Sequence, residues 1–179
     1  MAGMSYSLRA IDSLDLAQIL DLNNAAVPAV NELDSAGLEA LVAAAALAHV
    51  VTSDAAPHVV LGFAIVFAPD ADYASENYRW FSARSRSFLY VDRIVVSAEA
   101  RNQRLGALLY DAIFTAARES AAAEVFCEVN TSPPNPGSLA FHSRLGFTEI
   151  GQQATKNGTV VVALLSASGD ERSLERSRP

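Results

Sequence analysis

Apolar residues recur along this chain in two rhythms, and the change from one to the other marks its most informative stretch. Phe88 to Val96 is dominated by β-branched and aromatic residues, which fit a pleated, half-buried surface and predict a strand. From Leu105 the apolar positions are Leu105, Leu108, Leu109, Ala112, Ile113, Ala116 and Ala117, the three-and-four spacing of one helical face. The period therefore switches inside residues 97–104, a short loop rich in backbone donors. A helix N-terminus leaves its first amides unpaired and carries partial positive charge, so this junction suits a phosphate, and Arg101 and Arg104 add two cations.

The flanking patterns fill in the remaining elements. Residues 6–11 read as a first strand, and Asp12 or Ser13 is placed to cap a helix whose buried face is Leu16, Ile19 and Leu20. Pro28 interrupts that pattern, and Ser35 is placed to cap a second helix through Leu38, Leu41, Val42 and Ala45. Residues 49–52 and 59–67 read as strands joined by the turn-forming Ser53-Asp54-Ala55-Ala56-Pro57. Residues 69–86 are polar with interspersed Tyr73, Tyr78, Trp80 and Phe81, and read as an inserted loop or lid. Its aromatics either line a substrate mouth or fold back over a core edge.

Further on, residues 124–129 form a strand with Val125, Cys127 and Val129 on one side and Phe126 and Glu128 on the other. Asn135, Pro136 and Gly146 are the N-cap, first-turn and terminating residues of a helix. Residues 147–150 and 159–165 make a closing antiparallel pair. One domain over residues 1–165 is expected, followed by a polar, flexible tail at 166–179.

Composition narrows the function classes. A chain of 179 residues, about half of them hydrophobic, can bury a full core as one domain. The single cysteine excludes a disulfide framework or a cysteine-rich zinc site, and no metal is expected. A net charge of −7 argues against general nucleic-acid binding. The N-terminal residues lack an apolar core of signal-peptide length, and residues 41–48 are too short to span a bilayer. A cytoplasmic protein without membrane contact is therefore expected.

The loop contains neither a Walker A sequence nor a three-glycine dinucleotide fingerprint. Arg101-Asn102-Gln103-Arg104-Leu105-Gly106 instead resembles motif A of the GNAT N-acetyltransferases, R/Q-x-x-G-x-G/A, with Arg104 where the inner glycine is usual. Asn135 to Phe147 resembles their motif B, N-x-x-[AS]-x-x-[FL]-Y-x-x-x-G-F, with His142 in place of the tyrosine. The order of elements extends the resemblance over about the first 165 residues.

That resemblance implies a mixed, largely antiparallel central sheet with helices on both faces. It also implies an enzyme that transfers the acetyl group of acetyl-CoA to a primary amine of a small molecule or peptide by direct attack. Coenzyme binding would fall to Ile94, Val95, Val96, Arg101, Asn102, Gln103, Arg104, Leu105, Gly106, Ala107, Asn135, Ser138 and His142. Gly106 would permit close approach of the pyrophosphate, and backbone amides near Val95 and Val96 would polarise the carbonyl. Asn135, Ser138 and His142 share one helical face, which could run alongside the pantetheine arm.

His142 would be the acid, and Asp92 or Glu128 the base, with Asp92 slightly ahead. Cys127 reads as inert packing rather than a nucleophile. The acceptor pocket would come from residues 23–32 and 73–81, and a dimer through a sheet edge is possible. The alternatives are a non-catalytic acetyl-CoA-binding sensor of the same fold, or an interaction domain in which both motifs are structural.

Overall fold

The computed structural model describes residues 5–170, and the tail residues 171–179 lie outside the described part. Its elements are β1 (Tyr6–Ala10), α1 (Leu16–Ala25), α2 (Ser35–Ala44), β2 (Leu47–Ser53), β3 (Gly62–Phe67), α3 (Glu76–Ser82), β4 (Phe88–Val96), α4 (Leu105–Glu119), β5 (Glu124–Ser132), α5 (Pro136–Arg144), β6 (Thr148–Thr155) and β7 (Val160–Ser168). The seven strands form one sheet in the order β1-β2-β3-β4-β5-β7-β6, and β4 with β5 is its parallel pair.

Alternation along the strands supplies a core on each face. On one, Ala64, Val66, Leu89, Val91, Val125 and Cys127 meet Leu105, Leu109, Tyr110, Ile113 and Phe114 of α4. On the other, Phe63, Ile65, Phe67, Phe88, Tyr90 and Phe126 meet Ile19 of α1, Leu38 of α2, and Tyr78 and Phe81 of α3. Each large apolar side chain removed from water contributes about 1.5–3 kcal/mol, so α1 to α4 are each held to the sheet by an apolar face.

Four expectations change here, the first being that α1 has Asp15 at its N-cap, with no side-chain cap bond, in place of Asp12 or Ser13. The stretch 69–86 is no simple loop: Ser75 accepts from the Tyr78 N–H and starts α3, which sinks Tyr78 and Phe81 into the core. Phe81 stacks on Phe126 at 4.4 Å between ring centroids, and the Trp80 ring lies where a Cβ at Gly151 would come within 2.7 Å of it. These aromatics cover the sheet. The cap of α2 is Asp34, whose carboxylate accepts from Gly37 N at 2.7 Å, and Ser35 is already the first helical residue. β7 continues to Ser168, so the start of the expected tail is strand, paired with β5 as far as Glu124.

Two irregularities in β4 position the site. Its ladder with β5 runs from Phe88 opposite Glu124 to Val91 opposite Cys127 and stops there. β4 continues along β3 to Val96, and β5 continues along β7 to Ser132. The sheet therefore forks after Val91 and Cys127.

At the same place β4 holds an extra residue. Val91 pairs with Val66 and Arg93 with Ile65, leaving Asp92 as a bulge. Phe88 and Tyr90 face the α1–α3 side before the bulge, whereas Val95 faces it afterwards. The inserted residue shifts the alternation by one, and Asp92 and Arg93 emerge on the same side.

Candidate active site

The root of the fork carries two carboxyl groups whose settings differ. Asp92 accepts from the Tyr73 hydroxyl at 2.5 Å on one oxygen and from Arg93 Nε at 3.1 Å on the other, with its side chain 6% exposed. Glu128 accepts from the Tyr90 hydroxyl at 2.9 Å through Oε1, while its buried Oε2 has no partner. Burial, and then the neighbouring charge of Asp92, push the Glu128 carboxyl up to about 8, against the opposing effects of the Tyr90 hydroxyl, Asn77 and Arg93. Burial also raises Asp92, although Arg93 and Tyr73 hold it back.

Sequence reasoning put Asp92 ahead. In the structure both Asp92 oxygens are engaged, whereas the buried Glu128 Oε2 has no hydrogen-bond partner. Arg93 is buried and also donates through Nη1 to Asn23 Oδ1 and to the Asn31 carbonyl, both at 2.7 Å. An ionised guanidinium out of water requires such partners.

The loop between β4 and α4 brings the expected coenzyme residues together. Arg101 is extended, Asn102 is left-handed at φ 65°, and Arg104, the N-cap of α4, is left-handed at φ 61°. That conformation accounts for the glycine usual at the Arg104 position: without a Cβ it is adopted freely, whereas arginine bears a cost of about 1–2 kcal/mol. No side chain caps α4, so the amides of Leu105, Gly106 and Ala107 begin a 15-residue helix without a capping acceptor. Arg101 and Arg104 are exposed beside them.

Gln103 accepts from the Tyr6 hydroxyl of β1, and a recess of about 220 Å³ lies against Tyr6, Gln103, Arg104, Ala107 and Asp111. The space at Gly106 is filled by protein: a Cβ there would stand 3.0 Å from Phe141 Cζ of α5, so glycine admits a ring.

On β4, the Ser97 N–H donates to Leu61 O toward β3 at 2.8 Å. By alternation the N–H groups of Val96 and Ile94 point the other way, into the fork, and that of Val95 points toward β3. Of the two amides that the sequence expectation names, Val96 is the one on the side facing the fork, beyond the end of the β4–β5 ladder.

α5 forms as its sequence predicts. Asn135 accepts from Ser138 N at 3.2 Å, Pro136 opens the helix, and Gly146 ends it at φ 90°. His142 is 3% exposed. Its Nδ1–H donates to the Ser138 carbonyl at 2.8 Å, and its Nε2 shares a hydrogen bond with the Tyr110 hydroxyl at 2.8 Å. Phe141, Phe147 and Tyr110 surround the ring, and burial pushes its pKa down. Both ring nitrogens are thus engaged within the protein, and burial disfavours the protonated form that an acid role requires. Cys127 is a buried thiol with its pKa raised by burial, as expected of packing.

Asn23 and Tyr73 fall inside the stretches that the sequence assigns to an acceptor pocket, whereas Tyr90, Arg93 and Asn130 are not expected at the site from sequence. One signal was present: consecutive charges, Asp92-Arg93, inside an otherwise apolar strand must be paired in some way. Among the described residues no His, Cys, Asp and Glu group could hold a metal, and no helix is long and apolar enough to cross a membrane.

Comparison with known proteins points the same way as the geometry. The model of the acetyltransferase (GNAT) family matches residues 21–147. No curated sequence matches the chain. Among solved structures, Ard1 from Thermoplasma volcanium superposes with a TM-score of 0.74 at 16% identity, covering 91% of this chain and 97% of that one. The ribosomal-protein-S18-alanine N-acetyltransferase from Escherichia coli gives 0.68 at 15% identity, covering 92% and 94%. YncA from Salmonella typhimurium, with its cofactor acetyl-CoA, gives 0.68 at 20% identity, covering 99% and 98%. At these identities the likeness is one of fold.

Proposed function

Because the chain belongs to the GNAT acetyltransferase family, we propose that it transfers an acetyl group from acetyl-CoA to a primary amine of a small molecule or peptide, with Glu128 as the base. The observation that carries this reading is the fork, with Glu128 at its root and a buried carboxyl oxygen left open. Acetyl-CoA, when bound, supplies a thioester carbonyl. The residues present fit it: the uncapped start of α4 offers amides to phosphate, with Arg101 and Arg104 beside them, and the unpaired edge of β4 offers the Val96 N–H to a carbonyl oxygen.

Asn102, Gln103, Leu105, Gly106 and Ala107 complete that cradle on the loop and first turn, and Ile94 and Val95 line the arm of the fork. Asn135 and Ser138 form the facing helix end. As the C–N bond forms and the C–S bond breaks, Glu128 would receive the proton that the amine loses, directly or through one water, and the sulfur would leave as thiolate and take its proton from solvent. Asp92, tied to Arg93 and Tyr73, keeps negative charge beside Glu128 and holds its proton affinity high. In this reading His142 packs α5 against α4 and does not donate to sulfur.

The test is calorimetric titration with acetyl-CoA followed by free-thiol release over an amine panel. The panel includes polyamines, amino acids and a peptide with an N-terminal alanine, the last because the E. coli structure named above is of an alanine N-acetyltransferase. Saturable binding together with amine-dependent thiol release is the expected result. Saturable binding with no release leaves a non-catalytic binder, and no binding rejects the coenzyme site.

A further inference from the structure

Residues 26–34, which join α1 to α2 without regular helix or strand, are bonded to both arms of the fork. From β4, Arg93 Nη1 donates to the Asn31 carbonyl at 2.7 Å. From β5, Asn130 Nδ2 donates to the Pro28 carbonyl at 2.9 Å. Both bonds go to main-chain oxygens, so they fix the path of the segment whatever its side chains are. The end of α1 adds a second tier: Asn23 Nδ2 also reaches the Asn31 carbonyl at 3.0 Å, and Asn24 both accepts from Leu33 N and donates to Leu33 O, at 3.0 and 2.9 Å. Asn23 is fully buried and accepts from Arg93 in turn.

These bonds sit at the site. Arg93 adjoins Asp92, and Asn130 lies two residues beyond Glu128, on the same strand side by alternation. Arg93 also has a reason to be there that packing alone does not supply. A buried guanidinium is costly unless its donors are used, and an apolar residue would fill the space without that cost. Its donors go to Asp92, Asn23 and the Asn31 carbonyl, so one side chain joins a strand, a helix end and a loop.

We infer that residues 26–34 form a clasp across the fork, and that Arg93 and Asn130 are positioning residues that set how the acceptor amine reaches Glu128. This rests on the enzyme reading above. A loop freed from either arm lets the acceptor settle in several poses, and misplacement of about 1 Å can lower productive encounters by about a hundredfold. Coenzyme affinity resides at the α4 end and stays unchanged.

The experiment compares wild type with Asn130→Ala, Arg93→Met, Arg93→Lys and the Asn130→Ala/Arg93→Met pair. It measures acetyl-CoA affinity, steady-state kinetics with the best acceptor, and hydrogen exchange of the amides in 26–34. Asn130→Ala and Arg93→Met should each speed exchange in the clasp and raise the acceptor KM about tenfold, with a smaller change in kcat and acetyl-CoA affinity held within about twofold. Arg93→Lys, which keeps the charge but not the fork of donors, should fall between wild type and Arg93→Met. The double variant should cost less than the product of the single effects, since both act on one segment.

An unchanged acceptor KM in Asn130→Ala overturns the inference, and so does acetyl-CoA affinity falling in step with KM. If the Arg93 variants fail to fold, Asn130→Ala, on the less buried bond, decides alone. A wild type that releases no thiol with any amine removes the enzyme reading instead. Clasp exchange in Asn130→Ala then decides whether the segment is held from both arms, with unchanged exchange overturning it.

Discussion

Asp92 and Glu128 are the first residues on their two strands beyond the last parallel ladder pair, Val91 with Cys127. Two carboxyl groups at the root of one fork raise each other's proton affinity, and the surroundings resolve that conflict unequally. Asp92 has a guanidinium and a phenol, whereas Glu128 has one phenol and an open oxygen.

Replacing the two carboxylates should therefore produce opposite kinds of damage. Glu128→Gln keeps the shape and removes the proton acceptor, so kcat should fall by about 10²–10⁴ with acetyl-CoA affinity retained. Asp92→Asn leaves Arg93 buried without its counter-charge, so the main loss should be stability, about 3–5 kcal/mol by urea denaturation. Full turnover in Glu128→Gln would rule out Glu128 as the base.

The raised Glu128 carboxyl sets a pH profile. With its pKa at about 8, Glu128 is mostly protonated at neutrality, so kcat/KM should rise with pH and level off above about 8. Stability should run the other way. The folded chain holds this proton more tightly than the unfolded chain, so the contribution is fully present below the unfolded value of 4.5 and is lost as pH rises through about 8. Denaturation of wild type and Glu128→Gln between those limits checks the sign, and the variant should lack this downward slope.

Gly106→Val puts carbon against Phe141, where a bare Cβ already stands at 3.0 Å. Overpacking of this kind should cost about 1–3 kcal/mol, seen as a lower Tm, by prising α5 from α4. Because the same turn offers amides to phosphate, acetyl-CoA affinity should fall as well. Gly106→Ala is the milder comparison.

His142→Phe keeps a ring among Tyr110, Phe141 and Phe147 but leaves the buried Tyr110 hydroxyl without its nitrogen partner. The expected loss is about 1–3 kcal/mol of stability. The pH at which activity rises should stay where wild type has it. A displaced pH profile at unchanged stability would return His142 to the chemistry.

The parts of this site that were legible in the sequence are those set by local rules. The apolar spacing from Leu105 places α4, and Asn135, Pro136 and Gly146 bound α5 as caps and terminator do. Arg104 stands out as the odd member of its motif, and its φ of 61° shows the backbone demand that glycine ordinarily meets.

What was not legible depends on long-range pairing. α3 has only seven residues, too few to show a period within polar surroundings, and its helix is fixed by Tyr78 and Phe81 meeting a sheet formed elsewhere in the chain. The Arg93 to Asn31 bond spans 62 positions and answers to no local pattern. Alternation would send Asp92 and Arg93 to opposite sides, and only the register against β3 shows that they share one.

That bulge makes the site sensitive to strand length in a way that residue identity does not convey. Deleting Ile94 would restore strict two-residue periodicity and send Arg93 toward α4, into aliphatic surroundings, while leaving Asp92 in the opposite layer without its counter-ion. A chain otherwise unaltered in composition would then have its polar cluster turned inside out. In this strand, counting matters more than chemistry.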